Sequence, residues 1–174
     1  DRRQRQMCIR DSYGIAEFSF LNERDTAFGE PGEYKVTLKV PRAKAGALIR
    51  DIDAVISEEL KAVKPEDGMK MKRKPFKVIG EEVHFKAHSQ YKPVLWDKDQ
   101  NKLDEKIQVW KGSTMWANCK ASGYTKAIGV GATLLLGSVQ IDHLVEGTGT
   151  KSDTCPFPKR AGSALPGPEK SVAL

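Results

Sequence analysis

Residues 33–40 read Glu-Tyr-Lys-Val-Thr-Leu-Lys-Val, and their apolar and polar side chains alternate without interruption. In an extended chain the apolar set shares one face: Tyr34, Val36, Leu38 and Val40. The opposite face carries the polar set: Lys35, Thr37 and Lys39. This period of two predicts a half-buried β-strand that packs one face on a core. The turn-forming sequence Gly-Glu-Pro-Gly precedes the strand at 29–32, and Pro41 ends it.

Similar alternating patterns recur along the chain, and one segment has a longer period instead. Further strand-like segments lie at 15–21, 83–88, 93–96, 114–121 and 128–141. Over 45–63 the apolar residues recur instead at three- and four-residue steps, which predicts an amphipathic helix. Several short strands around one helix are typical of a small, strongly bent β-barrel. We therefore predict a mainly β domain with one inserted helix.

Composition and charge define the domain boundaries. The 174 residues carry a net charge of +6, yet residues 11–147 contain 21 basic and 20 acidic side chains, so most of the surplus lies in the two ends. Residues 1–13 lack periodicity and include a stretch, 7–12, that resembles a translated sequencing adapter, so we expect a disordered or artefactual segment. Residues 148–174 are rich in proline and glycine and predict a flexible tail. The candidate domain is 14–147.

Several classes of protein are disfavoured. The longest strongly apolar run, 132–136, is far shorter than the ~20 residues of a membrane-spanning helix. The sequence contains neither a Gly-rich phosphate-binding loop nor a nucleophile elbow. His84 and His88 lie on a predicted strand about 13 Å apart, too far for both to bind one zinc ion. Cys119 falls on the inward face of its strand, so we predict that it lies in the core. We expect no enzymatic activity, no cofactor and no metal.

A set of basic and aromatic side chains falls on the outward faces of neighbouring strands or in the loop that follows them. The basic members are Lys35, Lys39, His84, Lys86, His88, Lys120 and Lys126, and the aromatic members are Trp116 and Tyr124. Such a surface suits single-stranded nucleic acid, because bases stack on aromatic rings while lysines contact phosphates. The alternative is a solvated face that discourages aggregation, with Trp116 covered by the helix or a tail.

Four segments, taken in order, resemble the single-stranded DNA-binding proteins of T7-like bacteriophages. They are 28–41 (Phe-Gly-Glu-Pro-Gly-Glu-Tyr-Lys-Val-Thr-Leu-Lys-Val-Pro), the strand containing Phe85 and Lys86, residues 123–132 and residues 137–141. The resemblance spans about 15–145 with gaps, and it implies an OB-fold five-stranded barrel with one helix inserted between strands. It also implies a non-enzymatic protein that coats single-stranded DNA during phage replication, recombination and strand annealing, in the cytoplasm of the infected bacterial host.

The resemblance also implies site residues. It assigns base stacking to Tyr124 and places the family's basic and aromatic strand on His84, Lys86 and His88. At positions 84 and 88 this chain has histidines where the family usually has lysine and tyrosine. Lys126 occupies a position where the family usually has a tryptophan, and Trp116 would compensate for the loss of that ring. From the resemblance and the outward-facing pattern together, we predict that bases stack on Tyr124, Trp116 and His88. We predict phosphate contacts from Lys35, Lys39, His84, Lys86, Lys120 and Lys126.

Partners follow from the same resemblance. Members of that family form dimers and recruit DNA polymerase and primase-helicase through a long acidic tail. Residues 151–174 carry a net charge of +2 instead, so single-stranded DNA is the main partner expected and the two enzymes are weaker expectations. An RNA-binding OB module and a non-catalytic phage protein-interaction domain remain alternative interpretations.

Overall fold

The computed structural model describes residues 9–63, 72–127 and 129–145. Within these ranges the chain forms one helix and eight strands. In order, they are β1 (Ile9–Asp25), β2 (Glu33–Pro41), α1 (Arg42–Lys61), β3 (Lys72–Arg73), β4 (Phe76–Ile79), β5 (Glu82–Ser89), β6 (Leu95–Trp96), β7 (Thr114–Lys126) and β8 (Gly129–His143).

Five strands close into a barrel in the order β1, β2, β5, β8 and β7, and β7 pairs back onto β1. Neighbouring barrel strands are antiparallel except β5 and β8. These two strands close the barrel as a parallel pair, with Ala87 beside Leu134 and His88 beside Leu135. The helix lies between β2 and β5 in the chain. The prediction of a mainly β, OB-like five-stranded barrel with one inserted helix is confirmed.

Three shorter strands extend the sheet. Strand β3 pairs with β8 at Val130 and Gly131, β4 pairs with β5, and β6 pairs with β8 near Val139. They cover backbone groups that the barrel strands would otherwise expose. In the part of the chain that the structure describes, no helix has the length and apolar character needed to cross a membrane.

The core fills the barrel and the space between it and α1. Val36, Leu38 and Val40 of β2 are buried, as the alternation at 33–40 predicts. The helix contributes Ile52 and Ile56 to the same core. Burying one such side chain contributes roughly 1.5–3 kcal/mol. The inward side chains of the strands therefore hold the barrel together, which leaves the outward ones available for binding.

The first strand begins earlier than the sequence pattern indicates. Residues 9–15 pair with 120–114 of β7, so 9–13 belong to the barrel rather than to the N-terminal segment at 1–13. Their apolar content is too low to signal a strand, but backbone pairing does not depend on it. Arg10 also forms an ion pair with Asp51 of the helix (2.5 Å). The expectations for residues 1–8, for the basic loop within 64–71 and for the tail at 148–174 lie outside the described residues.

Strand β7 ends later than the pattern indicates. Its pairing with β8 continues to Lys126, which lies opposite Gly129. Tyr124 and Lys126 therefore lie on a strand and not in the loop that we expected after residue 121. The glycines of β8 weaken the strand pattern in the sequence without interrupting the pairing.

Candidate nucleic-acid interface

The outward side chains of β2 and β5 form one continuous, largely basic surface. Three pairs face each other across the two strands: Lys35 and His88, Thr37 and Lys86, and Lys39 and His84. Directly opposed residues of antiparallel strands have Cβ atoms about 4.5–5.5 Å apart, so the three pairs adjoin one another. We call these six residues the β2–β5 patch. The alternation in the sequence correctly places them side by side on one face.

Most cations of the patch already have acidic neighbours. The pairs are Lys35–Asp25, Lys39–Glu17 (3.3 Å), His84–Glu82 (3.4 Å) and His88–Glu33 (3.2 Å). Lys86 is exposed, and within the described ranges no carboxylate lies within ion-pairing distance of it. The carboxylates of Glu17, Glu82 and Glu33 are solvent-accessible, and such ion pairs contribute only about 0–1 kcal/mol each, whereas the side chain of Asp25 is 8% exposed. An incoming phosphate can therefore replace the three glutamates without a large loss of stability.

Two of these carboxylates are held in the ionised form. The Lys111 ammonium, followed by that of Lys39, keeps the pKa of Glu17 below its ordinary value. The Lys35 ammonium and then the backbone N–H of Ala27 keep the pKa of Asp25 below its ordinary value. Near neutral pH both groups are therefore anionic, and they hold Lys39 and Lys35 on the surface of the patch.

Lys120 adjoins the patch through β8. It pairs with Leu135, and Leu135 pairs in turn with His88. Leu135 is 40% exposed, so an apolar side chain lies between the two basic ones. A polynucleotide that crosses these strands would meet cations on either side of a surface that a base can cover.

Tyr124 lies close against a glycine of the neighbouring strand. It pairs with Gly131, and a Cβ atom built on Gly131 would come within 2.5 Å of the Cζ and Oη atoms of the tyrosine. The same Cβ would lie 3.0 Å from the carbonyl oxygen of Arg73, so the ring extends over β8 close to β3. The Lys126 ammonium lies 5.2 Å from the ring centroid. An aromatic ring and a cation are thus placed together, as stacking and phosphate contact require.

Trp116 lies apart from Tyr124. The two residues are eight positions apart on β7, which corresponds to about 26 Å along a strand. Trp116 is 47% exposed, as the alternation predicts, but it packs on Tyr13 with ring centroids 4.8 Å apart. The expectation that all the aromatic and basic residues share one trough is corrected: β7 runs around the barrel, and its two ends face different surroundings.

Two aromatic residues that we did not select from the sequence border the patch. Phe20 pairs with Lys35 and Phe18 pairs with Thr37. Ala16 is fully buried, and regular alternation would bury Phe18 with it, yet Phe18 is 48% exposed. A β-bulge between Ala16 and Phe18 reverses the alternation. The only signal in the sequence is the pair of phenylalanines itself, since nothing there marks the bulge.

The structure offers no metal site in the described residues: no group of three or more His, Cys, Asp and Glu side chains is placed to hold an ion there. Cys119 is buried, as predicted for a core residue. Burial raises the pKa of its thiol to about 12. The thiol is therefore protonated and unreactive near neutral pH.

The barrel defines the class of fold. A small five-stranded barrel closed in this strand order is an OB fold, in which the face of the second and third barrel strands and the adjoining loops bind oligonucleotides. Here the second and third barrel strands are β2 and β5. The surface that this class uses for binding is therefore the one that carries the patch.

Solved structures with this fold include phage single-stranded DNA-binding proteins. One is gp2.5, a single-stranded DNA binding protein encoded by bacteriophage T7, with a TM-score of 0.66 and 21% identity over 84% of this chain and 98% of that one. Another is the single-stranded DNA-binding protein of bacteriophage Enc34 in complex with ssDNA, with a TM-score of 0.61 and 15% identity over 79% of this chain and 87% of that one. No family model and no curated protein sequence matches the chain.

Proposed function

We propose that this protein binds single-stranded DNA without sequence preference, through the β2–β5 patch and the neighbouring end of β7. One observation carries the proposal. The outward residues of the two strands that form the binding face of an OB fold are basic at five of six positions, and Tyr124 covers Gly131 of β8, the strand that pairs with β5 at Ala87 and His88. The phage single-stranded DNA-binding proteins of the same fold support this proposal.

The chemistry of the site explains how binding would proceed. Phosphates contact the lysines and histidines of the patch together with Lys120 and Lys126, and they displace carboxylates such as Glu17 and Glu33. Bases stack on Tyr124 and on the imidazole of His88. Every base has a flat face, so stacking of this kind tolerates any sequence and contributes about 1–3 kcal/mol per base. Trp116 is not part of this site.

The biological role follows from the proposed binding. The protein acts non-enzymatically, coats single-stranded DNA in phage replication and recombination, and promotes annealing of complementary strands in the cytoplasm of the infected bacterial host. DNA polymerase, primase-helicase and a second copy of the chain are further partners in this proposal. Single-stranded DNA is the partner for which the described residues provide a surface.

A titration with three ligands tests the proposal. Filter binding or fluorescence anisotropy would compare an oligo(dT), its duplex and the matching RNA across a salt series. We expect a preference for single-stranded DNA and a linear fall of log affinity with log salt. Preference for RNA would identify an RNA-binding OB module. Absence of retention on any nucleic acid at low salt would contradict the proposal and favour a protein-interaction domain.

A further inference from the structure

We propose that Phe18 and Phe20 of β1 form a second base-stacking platform, on the opposite side of the β2–β5 patch from Tyr124. This inference rests on the proposed function and adds to it a direction for the DNA, across the strands from β8 through β5 and β2 to β1. The sequence pattern assigns no role to either phenylalanine.

The exposure of Phe18 is the first observation. The bulge after Ala16 turns Phe18 outward, and 48% of it is exposed although Ala16 and Leu21 on either side are buried. The Phe18 and Phe20 rings pack on each other with centroids 5.0 Å apart and planes tilted by 58°. Since β1 supplies the core through other residues, these two rings form an apolar surface that faces outward. Such a surface marks a binding site when polar residues border it.

The position of Lys35 is the second observation. Its ammonium lies 5.5 Å from the centroid of the Phe18 ring and 5.9 Å from that of Phe20. The same ammonium pairs with Asp25. A nucleotide needs a cation for its phosphate directly beside a ring for its base, and this arrangement provides both. When a base approaches the rings, Lys35 moves from Asp25 to the phosphate of the same nucleotide.

The spacing of the strands is the third observation. Phe18 pairs with Thr37, and Thr37 pairs with Lys86, so the rings lie two strand spacings from β5. Tyr124 lies over β8, which adjoins β5 on the other side. Along the barrel wall β1 and β8 are three strand spacings of about 4.8 Å apart, and Gly131, which Tyr124 covers, lies three residues along β8 from Leu134, where β8 pairs with β5. The exposed cation Lys86 lies between them, so a short stretch of DNA can contact both platforms and the patch.

The first test exchanges an aromatic ring for an aliphatic side chain. We expect Phe18→Leu to weaken binding of a short oligo(dT) by about 5-fold or more, the lower end of what one stacked base contributes. The dependence of affinity on salt should not change, because no charge is altered, and Phe18→Trp should restore the affinity. Trp116→Leu is the matched control, because Trp116 is 47% exposed but lies outside the site. It should leave affinity unchanged.

The second test uses the unaltered protein. An oligonucleotide that contains 5-iodouridine is crosslinked by light, and the crosslinked tryptic peptides are identified by mass spectrometry. Crosslinks at Phe18 or Phe20, within the tryptic peptide 11–24, support the platform. Their absence, with crosslinks elsewhere, overturns it even if the leucine variant fails to fold.

Other outcomes are equally decisive. Unchanged DNA affinity in Phe18→Leu, or an equal loss in Trp116→Leu, contradicts the platform while the proposed function stands. A change in sedimentation mass at unchanged DNA affinity shows that the rings contact protein instead. If the unaltered protein does not bind single-stranded DNA at low salt, the proposed function itself fails.

Discussion

The ring of Tyr124 lies against the backbone of Gly131 so closely that a single methyl group on the glycine would come within 2.5 Å of the ring. We therefore predict that Gly131→Ala displaces Tyr124 and weakens single-stranded DNA binding, although Gly131 has no side chain to contact DNA. The loss should fall in the range expected for Tyr124→Ala, about 1–3 kcal/mol of stacking. Fluorescence anisotropy with oligo(dT) measures it.

A double-mutant cycle separates this effect from general destabilisation. In the Tyr124→Ala background the ring is gone, so adding Gly131→Ala should cost little further affinity. The second contact, at 3.0 Å from the Arg73 carbonyl oxygen, remains in both backgrounds and cancels in the cycle. Additive losses would show that Gly131 does not act through Tyr124.

Glu17 forms an ion pair with Lys39, and in the proposed function it competes with phosphate for that lysine. We predict that Glu17→Gln strengthens binding of single-stranded DNA, because it frees Lys39 and Lys111 and removes a negative charge from the edge of the patch. Each lysine released to a phosphate should steepen the slope of log affinity against log salt by about 0.7. A salt series on both proteins gives the slopes.

Glu105→Gln is the control for this prediction. It makes the same change in net charge, but Glu105 pairs with Lys92 in a loop region and not with the patch (3.5 Å). The affinity of the Glu105→Gln variant for single-stranded DNA, and its slope of log affinity against log salt, should stay close to those of the unaltered protein. Equal gains in the two variants would mean that net charge alone, and not the competition at Lys39, controls affinity.

Asp25 makes the free energy of unfolding depend on pH in the acid range. Pairing with Lys35 lowers the pKa of Asp25 in the folded protein below its ordinary value of 3.8. The pair therefore stabilises the fold above the ordinary pKa, and this stabilisation is lost as pH falls through the lowered folded-state pKa. Asp25→Asn should flatten the decline in free energy of unfolding below about pH 4, as measured by urea denaturation. If the free energy of unfolding falls equally steeply with decreasing pH in both proteins, Asp25 does not contribute to the pH dependence of stability.

The thiol of Cys119 reports on the orientation of β7. Its pKa of about 12 leaves almost no thiolate at pH 8, so a thiol reagent should not modify it in the folded protein. In a variant with Cys8 and Cys155 changed to serine, labelling should require denaturant. Labelling of the folded variant at the unfolded rate would show that Cys119 is not inward, and that Lys120 does not face outward as the site requires.

The alternating segments at 33–40 and 83–88 predicted both the barrel strands and the patch, because in a regular strand burial of one face determines which side chains the other face exposes. Phe18 could not be predicted, because the bulge that turns it outward leaves no mark in the local pattern. The pairing of Lys39 with Glu17 depends on the strand register, which one sequence does not fix. Trp116 was correctly expected to be exposed, but the path of β7 around the barrel separates it from Tyr124.

Lys86 is the residue on which binding of the DNA backbone to the β2–β5 patch should depend most, so reversing its charge should have the largest effect. Lys86 is exposed at the centre of the patch, whereas Lys102 is exposed beside Trp96, which pairs with β8 at Gln140, away from the patch. Both Lys86→Glu and Lys102→Glu lower the net charge equally.

Affinity for oligo(dT) at fixed low salt is the quantity to compare. We predict that Lys86→Glu reduces it at least about 10-fold, because a phosphate contact becomes a repulsion. Lys102→Glu should change it about 2-fold or less, since screening weakens charges beyond a Debye length. Equal effects of the two substitutions would show that the β2–β5 patch does not bind the DNA backbone.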